Sequence, residues 1–428
     1  MQYSIAKEPK NLIAKPKPIF DFQLEGLRGF TALLVVLCHI FTNNVHLDPN
    51  YTIQGIWQYS PPGHLSVLVF FVLSGYVIGL SNPKPIQTSK ERWLYLKKRV
   101  IRIYPLYLSS ILLSIIIAAI VSQEYFSPKT IALHLVFGQV AFTHVLSNNV
   151  PLWSLSYEVS YYLFFLIISA HQWKPIIVIA GCAALAILCR FTPAMPPVIS
   201  SYACGACFWL IGLSLAAKPR TNAPVKYGLL LAYLLLMLSY GRMNLGISLL
   251  EHTGINFSII QVPYLFERIV SLADFSYLIF CIPLLTRFTN RTVYGAIWLE
   301  RIAFLVPGLY LIAYIASGKI NNTPLYNTLF FAIVFYIFAL LIYFLHNKPI
   351  FSIAGRYLMA KLTVLGNISY GIYIIHYPVI HLFSSINLFS GSTVTYLLRS
   401  ALFIVLVLSL GWVLERRFQP WAKAKILG

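Results

Sequence analysis

Charge is what this chain has least of. Only 10% of its 428 residues are Asp, Glu, Lys or Arg, while 58% are hydrophobic and the mean hydropathy is +0.74. Soluble domains carry roughly 25% charged residues, so a water-soluble globular protein is excluded. Acidic residues are the scarcer sign, 12 against 32 Lys and Arg, for a formal net charge of +20. The basic residues fall in short connections between apolar runs, as in cytoplasmic loops that anchor to an anionic leaflet. That placement argues against nucleic acid as a partner. No hydrophilic connection is long enough to fold as a globular domain of its own.

Cysteine is sparse and badly placed for bridges or metal. Cys38, Cys182, Cys189, Cys204, Cys207 and Cys281 all lie within or beside apolar segments. Cys204 and Cys207 have C-x-x-C spacing, but no second pair or neighbouring histidine accompanies them. They read as small residues for close helix packing, and neither a disulfide framework nor a metal is expected. A clear internal repeat is also missing, as are the paired broken helices that point to a secondary transporter. The first twenty residues contain Lys7, Lys10, Lys15 and Lys17 and no small-residue cleavage site. They read as a basic cytoplasmic arm, not a signal peptide.

What is present is a series of apolar runs. A spanning helix needs about 20 mostly apolar residues. Candidates are 27–45, 64–81, 100–121, 152–169, 176–190, 200–217, 226–241, 266–287, 296–316, 328–346, 363–385 and 393–414. The expected fold is all-α, a polytopic bundle of about ten to twelve spanning helices over 21–415, with a short basic tail at 416–428. The run 131–146, with His134 and His144, reads as re-entrant or interfacial. If it does not cross, the basic stretches around 82–102, Lys218–Lys226, Lys348–Lys361 and Arg416–Lys425 share one side with the N-terminal arm. Both termini are then cytoplasmic.

Within these runs a few polar residues could carry chemistry. Arg28 and His39 are eleven residues apart, so on one helix they differ by about 20° of azimuth and roughly 16 Å of height. Counted from residue 27, His39 falls near mid-membrane. An ionisable residue there is turned to a cavity, a partner or a substrate path, and a neutral imidazole suits proton abstraction from a hydroxyl. A buried histidine bonded to a carbonyl is the bland alternative. Arg99 and Arg102 share a helix face. They are either positive-inside anchors or, with Arg28, a forked grip on the phosphates of a nucleotide-like cofactor.

Glu158 is one of few carboxylates inside an apolar span. Counted six residues from the outer surface, it falls near the height of His39, which leaves open a His–Glu partnership, a shared cavity or a purely structural bond. Phe70–Gly75 ends in a Ser74-Gly75 step where helices could approach closely. His376 is a second mid-span histidine. Asp274 and Glu300 are buried-carboxylate candidates, with Arg268 and Arg301 as possible partners.

Five of these segments, in order, resemble the acyltransferase 3 family of integral membrane acyltransferases. Leu24-Glu-Gly-Leu-Arg-Gly29 through His39 is similar to its opening motif, an Arg and a His separated by ten residues. Phe70–Gly75 resembles its F-F-V-L-S-G stretch, and Arg99-Val-Ile-Arg102-Ile-Tyr-Pro105 its R-x-x-R-x-Y-P. Pro151–Tyr162 resembles P-L-W-S-L-S-x-E, and Ile368–Pro378 the closing I-S-Y-x-x-Y-x-x-H-x-P.

The resemblance implies transfer of an acyl group, most often acetyl, from acyl-coenzyme A to a carbohydrate hydroxyl. Such an acceptor would be a cell-surface polysaccharide, lipopolysaccharide or a lipid-linked precursor. By the motifs, His39, Arg28 and Glu158 carry over as catalytic residues, and Arg99 and Arg102, with Arg28, as acetyl-CoA contacts. Ser74, Tyr104, Trp153 and His376 are candidate substrate contacts. Many relatives have a second Glu where this chain has Val159, and some carry an SGNH-type domain for which these connections leave no room. The expected setting is the bacterial inner membrane, with oligomers allowed. A transporter or flippase for lipid-linked sugar is the rival class.

Overall fold

The structure is a computed structural model that describes residues 21–41, 47–122, 125–192, 195–240, 243, 270–318 and 323–427. The expected arm at 1–20 and Arg268 lie outside the described residues. The regular elements are helices: α1 Phe22–Phe41, α2 Gly63–Ser81, α3 Ser89–Ile117, α4 Pro128–Leu135, α5 Trp153–Ala170, α6 Pro175–Phe191, α7 Pro197–Ala216 and α8 Tyr227–Tyr240. They continue with α9 Leu278–Thr289, α10 Ala296–Ala316, α11 Thr323–Leu345, α12 Pro349–Gly366, α13 Ser369–Ser384, α14 Thr393–Val413 and α15 Gln419–Leu427. Among the described residues, eight helical stretches are long and apolar enough to cross a membrane. α6 and α8 are apolar but shorter, and α11 and α12 form a further pair bent by 120°. The all-α polytopic bundle is what the apolar runs imply.

Several boundaries differ from the hydropathy reading. The third span begins at Ser89, eleven residues before its apolar part, because Thr88 and Glu91 cap it reciprocally. Thr88 Oγ1 accepts from the Glu91 N–H at 3.2 Å, and Glu91 Oε2 accepts from the Thr88 N–H at 3.0 Å. Arg99 and Arg102 therefore sit inside α3, not at its start. The expected span 363–385 does not exist as one helix. α12 ends at Gly366, α13 starts at Ser369, and the 16-residue α13 is short for a full crossing.

The basic stretch Lys348–Lys361, read as a connection, is mostly α12. Lys348 is extended before Pro349, which occupies the first turn of the next helix. That step breaks α11 from α12. α12 keeps Arg356 and Lys361 outside and buries Gly355, Met359 and Leu362. The expected tail from residue 416 is helical where described: α14 continues through a π-turn at Leu414–Phe418 into α15. The run 131–146 does not cross. It is the short α4 followed by a loop in which Phe137 and Val140 take positive φ.

The bundle closes through backbone contacts at glycine. A Cβ on Gly75 of α2 would overlap the Trp209 carbonyl of α7, and one on Gly212 would overlap the Val72 carbonyl. Gly29 of α1 and Gly366 of α12 meet Leu362 and Glu25 in the same reciprocal way. Lipid tails give helices no hydrophobic reason to associate, so close van der Waals approach at small residues carries the association. Gly75→Leu must push α2 off α7, at an expected cost of about 1–3 kcal/mol or more. Thermal unfolding in detergent should show a clear drop for Gly75→Leu and none for Gly181→Leu, where an added Cβ meets nothing within 4 Å.

Candidate functional site

α1 and α2 run antiparallel, which gives the bundle an internal scale. A Cβ on Gly63 would lie 2.8 Å from Cys38 Sγ, so the start of α2 is level with the end of α1. Ser74 lies eleven residues, about 16 Å, further along α2, which returns it to the level of Arg28. At that level a cavity of about 380 Å³ opens between α1, α2, α3, α5 and α13. Three guanidinium groups line it, Arg28, Arg99 and Arg102, together with the carboxylates Glu25 and Glu158. On α2 the lining runs from Val67 to Ile78, again about 16 Å of helix.

Arg28, Glu25, Arg99 and Glu158 are each held in place. Arg28 Nη1 pairs with Glu25 Oε1 at 3.1 Å, one helical turn back, both side chains about a quarter exposed (24% and 23%). Glu25 is a partner that the spacing argument missed. The Arg99 guanidinium lies over the Tyr95 and Tyr162 rings at 5.4 and 5.7 Å from their centroids, a cation–π arrangement that favours a partly desolvated cation. Glu158 Oε1 accepts from Ser74 Oγ at 3.0 Å and from the Tyr162 hydroxyl. Ser74 Oγ in turn accepts from Trp209 Nε1 at 3.3 Å. A buried indole N–H needs such a partner, and Trp209, fully buried in α7, is a contributor that sequence reasoning passed over.

Glu158 is therefore level with Arg28, not with His39 as counting from the outer surface suggested. The cause is the entry to α5. A 3-10 turn at Ser147–Leu152 precedes it and is already sunk among the helices. Asn149 Nδ2 donates to the Ile374 carbonyl at 3.2 Å, and Gln139 Nε2 to the Leu152 carbonyl at 3.1 Å. α5 thus starts below the surface from which its depth was counted.

His39 lies in the last turn of α1, not midway along it. Its ring is 5.3 Å from that of His376 and edge-on to Tyr377 at 4.9 Å. Arg28 and His39 both face α13: the Arg28 cavity is walled by Ser369, Tyr370 and Tyr373, and His376 and Tyr377 follow one turn later. His376 is fully buried. Its Nδ1–H donates to the Tyr373 carbonyl at 2.6 Å, and its Nε2 is buried with no partner among the described residues. Tyr373 joins the two regions, its hydroxyl 2.7 Å from Ser154 Oγ and 3.0 Å from the Pro151 carbonyl it donates to.

Other candidates stand elsewhere. Tyr104 packs on Phe137 at 6.1 Å and does not line the cavity. Trp153 sits beside His64 and Phe71, one residue from the cavity-lining Ser154. Glu300 pairs with Arg287, at 2.6 and 3.1 Å, and not with Arg301, which lies over Trp298. Asp274 pairs with His64 at 3.0 Å. Hydropathy gave no signal for either partner, because each pairing joins two separate elements, α9 with α10 and α2 with the 272–277 turn.

Comparison with known proteins adds a family. A family model described as an acyltransferase domain matches residues 21–416. Over 150 residues the chain is 30% identical to acyltransferase MdmB of Streptomyces mycarofaciens, a stretch covering 33% of this chain and 37% of that protein. No solved structure matches.

The network around Ser74 is testable without any substrate. Ser74→Ala leaves the buried Trp209 N–H without its acceptor and is expected to cost about 1–3 kcal/mol. Ser74→Ala and Glu158→Gln touch one network, so their effects on thermal unfolding should combine less than additively. Strict additivity would show that the two residues do not communicate.

Proposed function

Since the chain belongs to the acyltransferase 3 family, we propose that it moves an acyl group, acetyl in the first instance, from acyl-coenzyme A to a carbohydrate hydroxyl. The observation that carries this is one elongated cavity. Its floor gathers three guanidinium groups, and its α13 wall continues by a single turn to a pair of histidines. Forked, charge-assisted bonds to phosphate are what guanidinium groups do best, so Arg99, Arg102 and Arg28 would hold the phosphates of coenzyme A. The pantetheine arm would lie along the Val67–Ile78 face of α2 and bring the thioester past Tyr373 to His39.

In this reading His39 takes the proton of an acceptor hydroxyl as its oxygen attacks the thioester carbonyl. The C–S bond breaks, and the imidazolium returns the proton to the departing thiolate. His376 would hold the His39 ring: its N–H is committed to a carbonyl, which leaves Nε2 as an acceptor. Glu158 stands with the guanidinium groups and would order them, not the imidazole.

The guanidinium end would face the cytoplasm, where coenzyme A is available. The positive-inside pattern supports this, as does the contact of Arg220 with Asp21 at 3.5 Å. That contact places the Lys218–Lys226 connection beside the start of α1. Both termini would then lie on the cytoplasmic face of a bacterial inner membrane, with a surface glycan or its lipid-linked precursor as acceptor.

Purified protein in lipid vesicles, supplied with labelled acetyl-CoA and membrane glycan, tests the reading. Losing a general base costs about 10²–10⁴-fold in rate, so His39→Ala should nearly abolish transfer while thermal unfolding stays close to that of the parent. Near-normal transfer by His39→Ala would remove the catalytic assignment, and glycan movement without coenzyme A would favour a transporter instead. Arg99→Ala and Arg102→Ala should raise the KM for acetyl-CoA and make it less sensitive to salt, because one screened charge contact is gone. An unchanged KM in both would return these residues to membrane anchoring.

A further inference from the structure

At the His39 end of the bundle stands a second titratable pair, built separately from the guanidinium cavity. His64 follows Gly63, the residue that packs on Cys38, so it shares the level of His39 on the adjoining helix. Its Nε2 lies 3.0 Å from Asp274 Oδ1, in the 3-10 turn Leu272–Tyr277 that leads into α9. The other carboxylate oxygen, Oδ2, accepts from the Ser271 N–H at 2.7 Å and from Ser271 Oγ at 3.4 Å. Three donors converge on one carboxylate, which is therefore the acceptor throughout, and His64 Nε2 carries the ring proton.

In the neutral ring that leaves Nδ1 as a lone-pair acceptor, in a side chain 37% exposed, although the aspartate it leans on is only 12% exposed. Beside it, the Trp153 ring lies within 24° of parallel to the imidazole, with centroids 6.4 Å apart. Trp153 is itself braced edge-on by Phe71 and Tyr157. Phe71 also lines the guanidinium cavity, and Ser154, next to Trp153, bonds Tyr373 below His376. The pair thus adjoins the upper end of the path from Arg28 to His39.

A tie between α2 and the 272–277 turn needs only some donor on α2. It does not need a ring whose second nitrogen has no partner among the described residues and lies beside an indole face. We propose that His64, fixed by Asp274 and flanked by Trp153, is the subsite for the acceptor sugar. His64 Nδ1 accepts a hydrogen bond from a pyranose hydroxyl, and the Trp153 ring covers the apolar face of the sugar. An apolar surface with one or two convergent polar groups is the usual make-up of a small-molecule site. Asp274 is then a positioning residue that holds the tautomer with Nδ1 unprotonated. This subsite rests on the reading of the acceptor as a carbohydrate, and it adds the residues that would select it.

The test is direct binding, measured by isothermal titration of the full chain in lipid nanodiscs with a panel of methyl hexopyranosides, and separately with acetyl-CoA. At least one glycoside should bind the parent protein. His64→Gln, whose amide can still donate to Asp274, should weaken that glycoside tenfold or more and leave acetyl-CoA affinity within twofold. Trp153→Phe, which keeps aromatic packing but shrinks the ring face, should weaken it severalfold. Asp274→Asn should weaken it as well, by releasing the tautomer. Unchanged acetyl-CoA affinity also reports that each variant is folded.

No glycoside binding by the parent protein, equal binding by His64→Gln, or a parallel loss of acetyl-CoA binding would each overturn the subsite. Glycoside binding that depends on His64 in a protein that ignores acetyl-CoA would keep the subsite and remove the acyl-CoA reading.

Discussion

A cation inside a lipid-embedded bundle must be given an interior to face, and that requirement organises this structure. Leaving Arg28, Arg99 or Arg102 toward hydrocarbon would cost several kcal/mol each, so α1, α3 and their neighbours are rotated until all three reach one cavity. The compensation there is specific. Glu25 pairs with Arg28, two tyrosine rings face Arg99, and Glu158 is fixed by Ser74 and Tyr162. Around that core the glycine contacts of α2 with α7 and of α1 with α12 set the spacing of the walls. Electrostatics decides which way the helices turn, and small residues decide how close they come.

Much of this was legible in the sequence because it depends on periodicity alone. An offset of eleven residues from Arg28 to His39 means one helix face, and both do face α13. An offset of three residues from Arg99 to Arg102 means a shared wall, and both line the cavity. The Ser74-Gly75 step marked a close approach and proved to be one. These relations survive because a helix transmits them without help from the rest of the fold.

What failed depends on where helices begin and how they are stacked. The depth of Glu158 was counted from a surface that α5 never reaches, because the buried turn at Ser147–Leu152 delivers it lower in the bundle. The amphipathic α12 was hidden by its own basic residues, and the step from Gly366 to Ser369 divided what hydropathy joins. The partners of Glu300 and Asp274 are tertiary facts: Arg287 approaches from the preceding helix α9, and His64 is distant in the chain. No window of hydropathy contains them.

The α2 wall of the cavity runs from Val67 to Ile78 between helices whose separation is set by backbone against backbone. Such a wall has little freedom to lengthen or shorten. In the acyl-transfer reading, a molecule tethered at the guanidinium floor presents its far end at one height only. The protein would then choose among thioesters by reach, as a gauge does, and leave recognition of the acyl group itself to the few ångströms around the histidines.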